Sequence, residues 1–298
     1  MNHKLNPATI FLLVTPPLLW AGNAVVGRMI HELVPPITLN FIRWVLAFLI
    51  LLPMAAHIYR RDSMLWRNWR RYALLGLLGV GLYNALQYLA LQSSTPINVT
   101  LVAASMPVWM LIVGRLFFQA KVTPWQLAGA LLSIAGVLIV LSRGEFAQLL
   151  ALRLVPGDVF MIIATITWSI YSWLLTRGND GELRNHWADF LLAQVSFGVL
   201  WSGLFSAAEC AITTPTIHWS PALCAALAFV AVGPAVIAFR CWGLGVQRVG
   251  PNVASFFSNL TPLFAALMSS AFLGELPHLF HAMAFMCIVG GIVLSSRR

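Results

Sequence analysis

The sequence predicts an all-α integral membrane protein: ten transmembrane helices as two inverted-topology repeats of five, with both termini cytoplasmic. Three observations carry this. The 298 residues are 60% hydrophobic and 9% charged, with a mean hydropathy of +0.84. A soluble domain carries roughly a quarter charged residues, so this chain has too few to cover a water-facing surface, and lipid is its main solvent. Apolar runs near the ~20 residues that a helical span needs recur along the chain. Finally, Gln92 to Pro107 and Gln247 to Pro262 align without a gap at an offset of 155 residues (92 to 247). In each copy a Gln leads, a Pro follows four residues later (92 to 96, 247 to 251), and a second Pro closes the stretch (Pro107, Pro262). An offset of half the chain reads as an internal duplication.

Taken in order, the runs lie at residues 8–27, 37–57, 72–91, 98–118, 125–141, 159–176, 187–208, 221–242, 253–273 and 281–294. The fifth, sixth and tenth are short. Nearly all the charge lies between them. With the N-terminus inside, the inside segments hold Lys4, Arg60, Arg61, Arg67, Arg70, Arg71, Lys121, Arg177, Arg184, Arg248, Arg297 and Arg298, and the outside ones only Arg28, Arg143 and Arg153. Lys and Arg mark the cytoplasmic side, so twelve against three puts both termini there, as ten spans require. The net charge of +9 is therefore a topological signal and does not point to nucleic acid. Lys4 precedes the first run without a small-residue cleavage site after it, so that run reads as a span and not a removed signal peptide.

Five spans per half is an odd number, so the halves insert with opposite orientation. That is the architecture of transporters whose site lies near the midplane between repeats. The expected boundaries are a first repeat at 1–142, an extracytoplasmic connector at 143–158 that lies on the membrane surface, and a second repeat at 159–298.

The residues that carry a family resemblance are the early Trp of each half (Trp20, Trp168), the two Pro-closed stretches, the run Phe272–Leu273–Gly274–Glu275, and the closing glycine runs around Gly136 and Gly290–Gly291. In order and spacing the chain resembles the drug/metabolite transporter superfamily, in its ten-span EamA-type branch, along essentially its whole length. The first half departs from the pattern, with Gln119–Ala120–Lys121 where the second has Gly274–Glu275. The resemblance implies export of small metabolites across the inner membrane of a prokaryote, and the YddG-type amino-acid exporters are similar. Small multidrug exporters of that superfamily rely on a glutamate in the first span; here the region reads Trp20–Ala21–Gly22–Asn23.

No Asp or Glu falls in the middle of a run; Asp189 stands at the start of the seventh and Glu209 past its end. An intramembrane carboxylate is the usual proton relay and the usual counter-charge for a cationic drug. Its absence argues against cation efflux and carboxylate-based proton antiport. The polar residues inside the runs include Asn23, Tyr83, Asn84, Gln87, Ser105, Ser169, Tyr171, Ser172, Gln194, Ser258 and Asn259. Unpaired amides are costly in lipid, so each faces protein or a water-filled cavity. Aromatic residues interleave with them. Trp66, Trp69, Trp125, Trp187 and Trp219 sit at run ends, as interfacial belts do. Trp20 and Trp168 lie deeper, at matching places. Deep Trp and Tyr make an apolar wall with a hydrogen-bonding edge.

The candidate substrate-binding set is therefore Trp20, Asn23, Tyr83, Asn84, Gln87, Ser105, Trp109, Trp168, Tyr171, Ser258 and Asn259. Pro107, Pro234 and Pro262 are expected to kink their helices and free the carbonyls of Ala103, Val230 and Ser258. Arg43, Arg115 and Arg240 lie near run ends and are read as snorkelling to the interface; Arg43 has a second reading, as a partner for a carboxylate.

The four cysteines (Cys210, Cys224, Cys241, Cys287) form no CxxC or Cys/His pattern and read as buried hydrophobes. His278 and His281 lack a third ligand, so no metal and no cofactor is expected. No nucleophile with a placed base and no acid cluster speaks for an enzyme, and no polar filter for a channel. The expected function is a secondary transporter that exports amino acids, aromatic and neutral ones included, or related metabolites; a multidrug or other metabolite exporter of the same superfamily is the alternative. The partners are the small-molecule substrate and the bilayer, and a monomer suffices.

Overall fold

Prolines open most of the helices. Pro7, Pro36, Pro96, Pro124, Pro156, Pro221 and Pro251 each stand first in a helix, where the missing N–H has no intrahelical partner to lose. A computed structural model describes residues 5–30, 32–94, 96–142, 144–145, 147, 155–178, 180–213, 216–273 and 279–297. Among them all regular structure is helical. The principal helices are α1 (Pro7–Met29), α2 (Pro36–Ala55), α3 (Trp69–Ser93), α4 (Pro96–Ala104), α5 (Met106–Phe118) and α6 (Pro124–Leu141) in the first half. The second half holds α7 (Pro156–Leu174), α8 (Trp187–Ile212), α9 (Pro221–Val249), α10 (Pro251–Phe257), α11 (Leu260–Leu273) and α12 (Leu279–Ser295).

All ten expected runs are helical, with ends moved by a few residues. Among the described residues seven helices are long and apolar enough to cross a membrane, and α4 with α5, bent by 42° at Ser105, makes an eighth. The remaining two runs fall short for local reasons: α10 and α11 are separated at Ser258–Asn259, and α12 has 17 residues. The run Phe272–Glu275 ends outside the described residues, as does His278.

The offset seen in the sequence reappears in the backbone. Two π-helical segments interrupt α3 and α9, at Gly76–Leu82 and Ala231–Ile237, 155 residues apart (76 to 231). Pro234 explains the second: it has no N–H and its ring crowds the preceding turn, which the wider π turn relieves. The first has no proline and instead carries Gly76, Gly79 and Gly81. The ends of α4–α5 and α10–α11 obey the same offset, Pro96 with Pro251 and Phe118 with Leu273 (118 to 273).

The packing is unchanged when the halves are exchanged. α1 lies against α9 as α7 lies against α3, and α1 meets α11 as α7 meets α4 and α5. α2 touches α9 as α8 touches α3. Two antiparallel pairs, α2 with α8 and α6 with α12, map onto themselves. Large apolar side chains such as Phe11, Leu116, Leu131, Leu200 and Met286 stay exposed on the outside of the helices, as a lipid-facing surface requires.

The α6–α12 pair brings two helix backbones into close contact. A Cβ on Gly129 would stand 2.7 Å from the Gly291 carbonyl oxygen, and one on Gly136 2.8 Å from that of Ala284. Backbone cannot yield as a flexible side chain does. Gly129→Leu should therefore cost ~1–3 kcal/mol of stability, read as a lowered unfolding temperature in detergent. An unchanged temperature would show that the pair does not depend on this approach.

Candidate substrate site

Six aromatic rings from four helices meet in the centre of the fold, and Trp44 of α2 adds a seventh at the margin. Trp168 of α7 is the hub. Its ring centroid lies 5.4 Å from Trp20 of α1, 4.9 Å from Tyr83 of α3, 5.0 Å from Tyr171, 5.5 Å from Phe239 and 5.7 Å from Trp242 of α9. Trp44 meets Phe239 edge-on at 4.8 Å. Edge-to-face pairs add ~0.5–1.5 kcal/mol each beyond the burial of area. Gly79 in the π segment makes the room: a Cβ there would stand 2.6 Å from the Tyr171 ring.

Three polar edges of the cluster are answered locally, while the buried Trp44 Nε1–H has no partner among the described residues. Trp20 Nε1–H donates to the Pro234 carbonyl at 3.4 Å, inside the second π segment. Trp242 Nε1–H donates to Ser172 Oγ at 3.1 Å. The Tyr171 hydroxyl donates to Gln194 Oε1 at 3.0 Å, while Gln194 Nε2 donates to the Phe190 carbonyl. Trp44, Trp168, Tyr171 and Trp242 are buried, so the centre is closed as described here.

A cleft reaches this cluster from the end of the molecule that carries Arg71 and Arg184. Tyr171, Phe239 and Gln194 form its floor, and Arg184, Trp187, Arg240 and Gln247 its rim. Its interior volume is ≈ 30 Å³, enough for a water and too small for a metabolite. Arg240 stacks on Trp187 at 4.5 Å. Beside it, buried Asp180 joins Arg71 (2.7 Å), Arg184 (2.6 Å) and the Tyr72 hydroxyl (3.1 Å), which ties the start of α3 to the segment before α8. His57 meets Asp189 at 2.9 Å at the same end.

The opposite end is closed by two other carboxylates. Glu209 accepts from Thr38 N–H at 2.8 Å and Thr38 Oγ1–H at 2.7 Å, and so caps α2. Asp158 accepts from the Val155 N–H at 2.9 Å, from Asn98 at 3.1 Å and from Ser94, and so joins α7 to the ends of α3 and α4.

The expected site residues divide into four groups. Trp20, Tyr83, Trp168 and Tyr171 come together in the cluster. Asn23, Asn84 and Gln87 stand within a turn or so of Trp20 and Tyr83; Asn84 is buried and the other two are half-buried. Ser105 and Trp109 instead line a side groove of ≈ 350 Å³ with Leu101, Val102, Val108, Ile134 and Ile162, none of which belongs to the cluster. Ser105 spends its hydroxyl on the Val102 carbonyl at 2.5 Å. Asn259 is buried and donates to Ser133 of α6 at 2.9 Å, while Ser258 Oγ, at the break, has no partner among the described residues. Pro107 and Pro262 stand just after the breaks at Ser105 and Ser258–Asn259, and Pro234 lies in the π segment.

Three expectations need correction. Of the four cysteines only Cys241 is buried, while Cys210 and Cys224 are exposed on the outside of their helices. Glu209 lies within α8, not past its end, because the helix runs on to Ile212 and uses this side chain to cap α2. Arg43 does not snorkel: it is 3% exposed, held by Asn40 at 2.7 Å and lying over the Trp44 ring at 5.2 Å. Arg115 and Arg240 are exposed, as snorkelling requires. Phe239, Trp242 and Trp44 were not expected in the centre. As apolar residues in apolar runs they carry no local signal; the nearby Gly233–Pro234 was the available pointer.

The EamA-like transporter family matches this chain twice, over residues 7–142 and 155–297. The chain belongs to that family. It is 26% identical to an uncharacterized transporter of Archaeoglobus fulgidus over 99% of both chains. It is 25% identical to the aromatic amino acid exporter YddG of Ancylobacter novellus, over 78% of this chain and 76% of that one. With the uncharacterized inner membrane transporter YedA of Escherichia coli it shares 24% identity, over 93% and 87%. A solved crystal structure shares the fold, with a TM-score of 0.75 at 21% identity over 96% of each chain. The protein is thus a multi-pass membrane transporter, like the family and these relatives, and not an enzyme.

Asp180 holds two arginines at one end of the molecule and is itself fully buried at the side chain. Asp180→Asn leaves both guanidinium groups without their carboxylate, at an expected cost of about 3 kcal/mol, measurable as a lower unfolding temperature of the purified protein. A variant as stable as the wild type would mean that this hub holds nothing together.

Proposed function

We propose that this chain, a member of the EamA-like transporters, is a secondary transporter that exports amino acids, aromatic and neutral ones among them, across the inner membrane by alternating access. The observation that carries the reading is the aromatic cluster where α1, α3, α7 and α9 meet, at the centre of an arrangement that is unchanged when its halves are exchanged. Trp and Tyr rings with hydrogen-bonding edges suit a small molecule with an apolar or aromatic side chain. The named function of the Ancylobacter novellus relative points the same way.

In this reading the ten helical runs are ten spans, both termini are cytoplasmic, and the Arg71/Arg184 end faces the cytoplasm. The repeats 1–142 and 159–298, joined by the connector 143–158, rock about the central site, and a monomer is the working unit. Trp20, Asn23, Tyr83, Asn84, Gln87, Trp168 and Tyr171 bind cargo from the centre. Ser105, Trp109, Ser258 and Asn259 serve at the helix breaks, where Pro107 and Pro262, with Pro234 in α9, give the flexing points. A rocking equilibrium responds to cargo only through different affinities for the two states. Rings that pack on each other when the centre is empty, and on cargo when it is filled, supply that difference. The acids found at the helix ends leave the centre without a proton-carrying carboxylate, so transport runs down the substrate gradient.

Purified protein in proteoliposomes should give saturable flux of labelled phenylalanine and neutral amino acids, unchanged by an imposed pH gradient. Trp168→Ala should lower kcat/KM at least ten-fold, the scale of one lost aromatic contact, while Trp66→Ala at a helix end should not change it. Flux that requires the pH gradient would show an overlooked proton-carrying group. Absence of amino-acid flux, with flux of drugs or other metabolites, would replace this reading by the multidrug or metabolite exporter of the same superfamily.

A further inference from the structure

Arg43 is the only buried Lys or Arg among the described residues. It stands seven residues into α2, about 10 Å along the helix from Pro36, and among the described residues no carboxylate pairs with it. The buried acids are all engaged elsewhere: Asp158 and Asp180 in the end networks, Asp189 with His57. Glu209, the acid nearest the start of α2, is spent on Thr38. One guanidinium N–H is used by Asn40, the cation lies over Trp44, and Nε–H has no partner among the described residues. An uncompensated cation in a dry interior is costly and rare, and where it occurs it marks a place that charge passes through.

Its surroundings say what kind of charge. Asn40 holds Arg43 with its oxygen and with its nitrogen donates to the Val80 carbonyl at 3.3 Å, in the π segment of α3. The cation is thereby braced against one of the two irregular turns at the centre. Trp44, under the guanidinium, touches Phe239, and Phe239 touches Trp168. A cation with an open N–H edge thus borders a wall of rings. A planar guanidinium pairs with a carboxylate through two parallel N–H bonds, and the adjoining rings accept an apolar body.

We propose that Arg43 is the carboxylate-receiving residue of the transport site, and that the cargo is a small molecule with a carboxylate at one end and an apolar or aromatic body at the other. This rests on the transporter reading above and adds the chemical group by which cargo is selected. The cargo brings the counter-charge that Arg43 lacks, which gives the filled site its advantage over the empty one.

Three labelled probes separate the groups involved: phenylalanine, 3-phenylpropionate, which keeps the carboxylate and lacks the ammonium, and phenylalaninamide, which lacks the carboxylate. The wild type in proteoliposomes should carry the two carboxylates with kcat/KM at least ten-fold above the amide. Arg43→Gln should lose at least ten-fold for both carboxylates and leave the amide unchanged. Should Arg43→Gln fail to reach the purified, folded state, Arg43→Lys decides by the same comparison, since it keeps the charge and loses the fork; it too should lose selectively for the carboxylates. Equal losses for all three probes would mean a structural role and overturn the proposal, as would a wild type that carries the amide as well as the acids. Failure of the underlying reading is recognisable because the wild type then carries none of the three, and the proposal falls with it.

Discussion

A backbone carbonyl freed inside a membrane must find a donor within the protein, and this requirement shapes the centre of the molecule. Two π turns, at Gly76–Leu82 and Ala231–Ile237, leave the regular helix ladder. Each has a side chain from a neighbouring helix at one of its carbonyls: Asn40 of α2 at Val80, and Trp20 of α1 at Pro234. These two bonds fix where the neighbours stand. Asn40 positions Arg43, and Trp20 positions the face that meets Trp168. The polar cost of irregular backbone thus supplies the scaffold on which the aromatic cluster is built.

Charge is distributed with equal economy. The buried carboxylates Asp180, Asp189 and Asp158, with half-buried Glu209, lie near helix ends and tie elements of the two halves to each other. Between those ends the centre is aromatic and amide, with one guanidinium at its edge. The pairs α2–α8 and α6–α12 are packed along their lengths and map onto themselves on exchange of the halves. They bracket the remaining helices, and among the described residues the two π turns and the two breaks fall among the bracketed ones. Flexing is therefore available where the rings are.

The parts legible in the sequence are those that repetition or composition writes into it. The runs, the 155-residue offset (92 to 247) and the matched Trp20 and Trp168 are all visible there, because apolar length and recurrence survive without knowledge of neighbours. Phe239, Trp242 and Trp44 were not legible, since an aromatic residue in an apolar run looks alike whether it faces lipid or protein. Ser105 and Trp109 read as central because they are a polar and an aromatic residue inside an apolar run. They stand at and just after the 42° bend and line the side groove. Arg43 was read as a span-end arginine reaching for water; only the structure shows that Asn40 and Trp44 hold it inside.

The most direct measurement is an experimental structure of the purified protein with saturating phenylalanine. The account predicts ligand density among Trp20, Tyr83, Trp168 and Phe239, the rings parted to admit it, and its carboxylate within hydrogen-bond distance of Arg43. Density confined to the groove at Ser105 and Trp109, with the central rings still packed on one another, would contradict it.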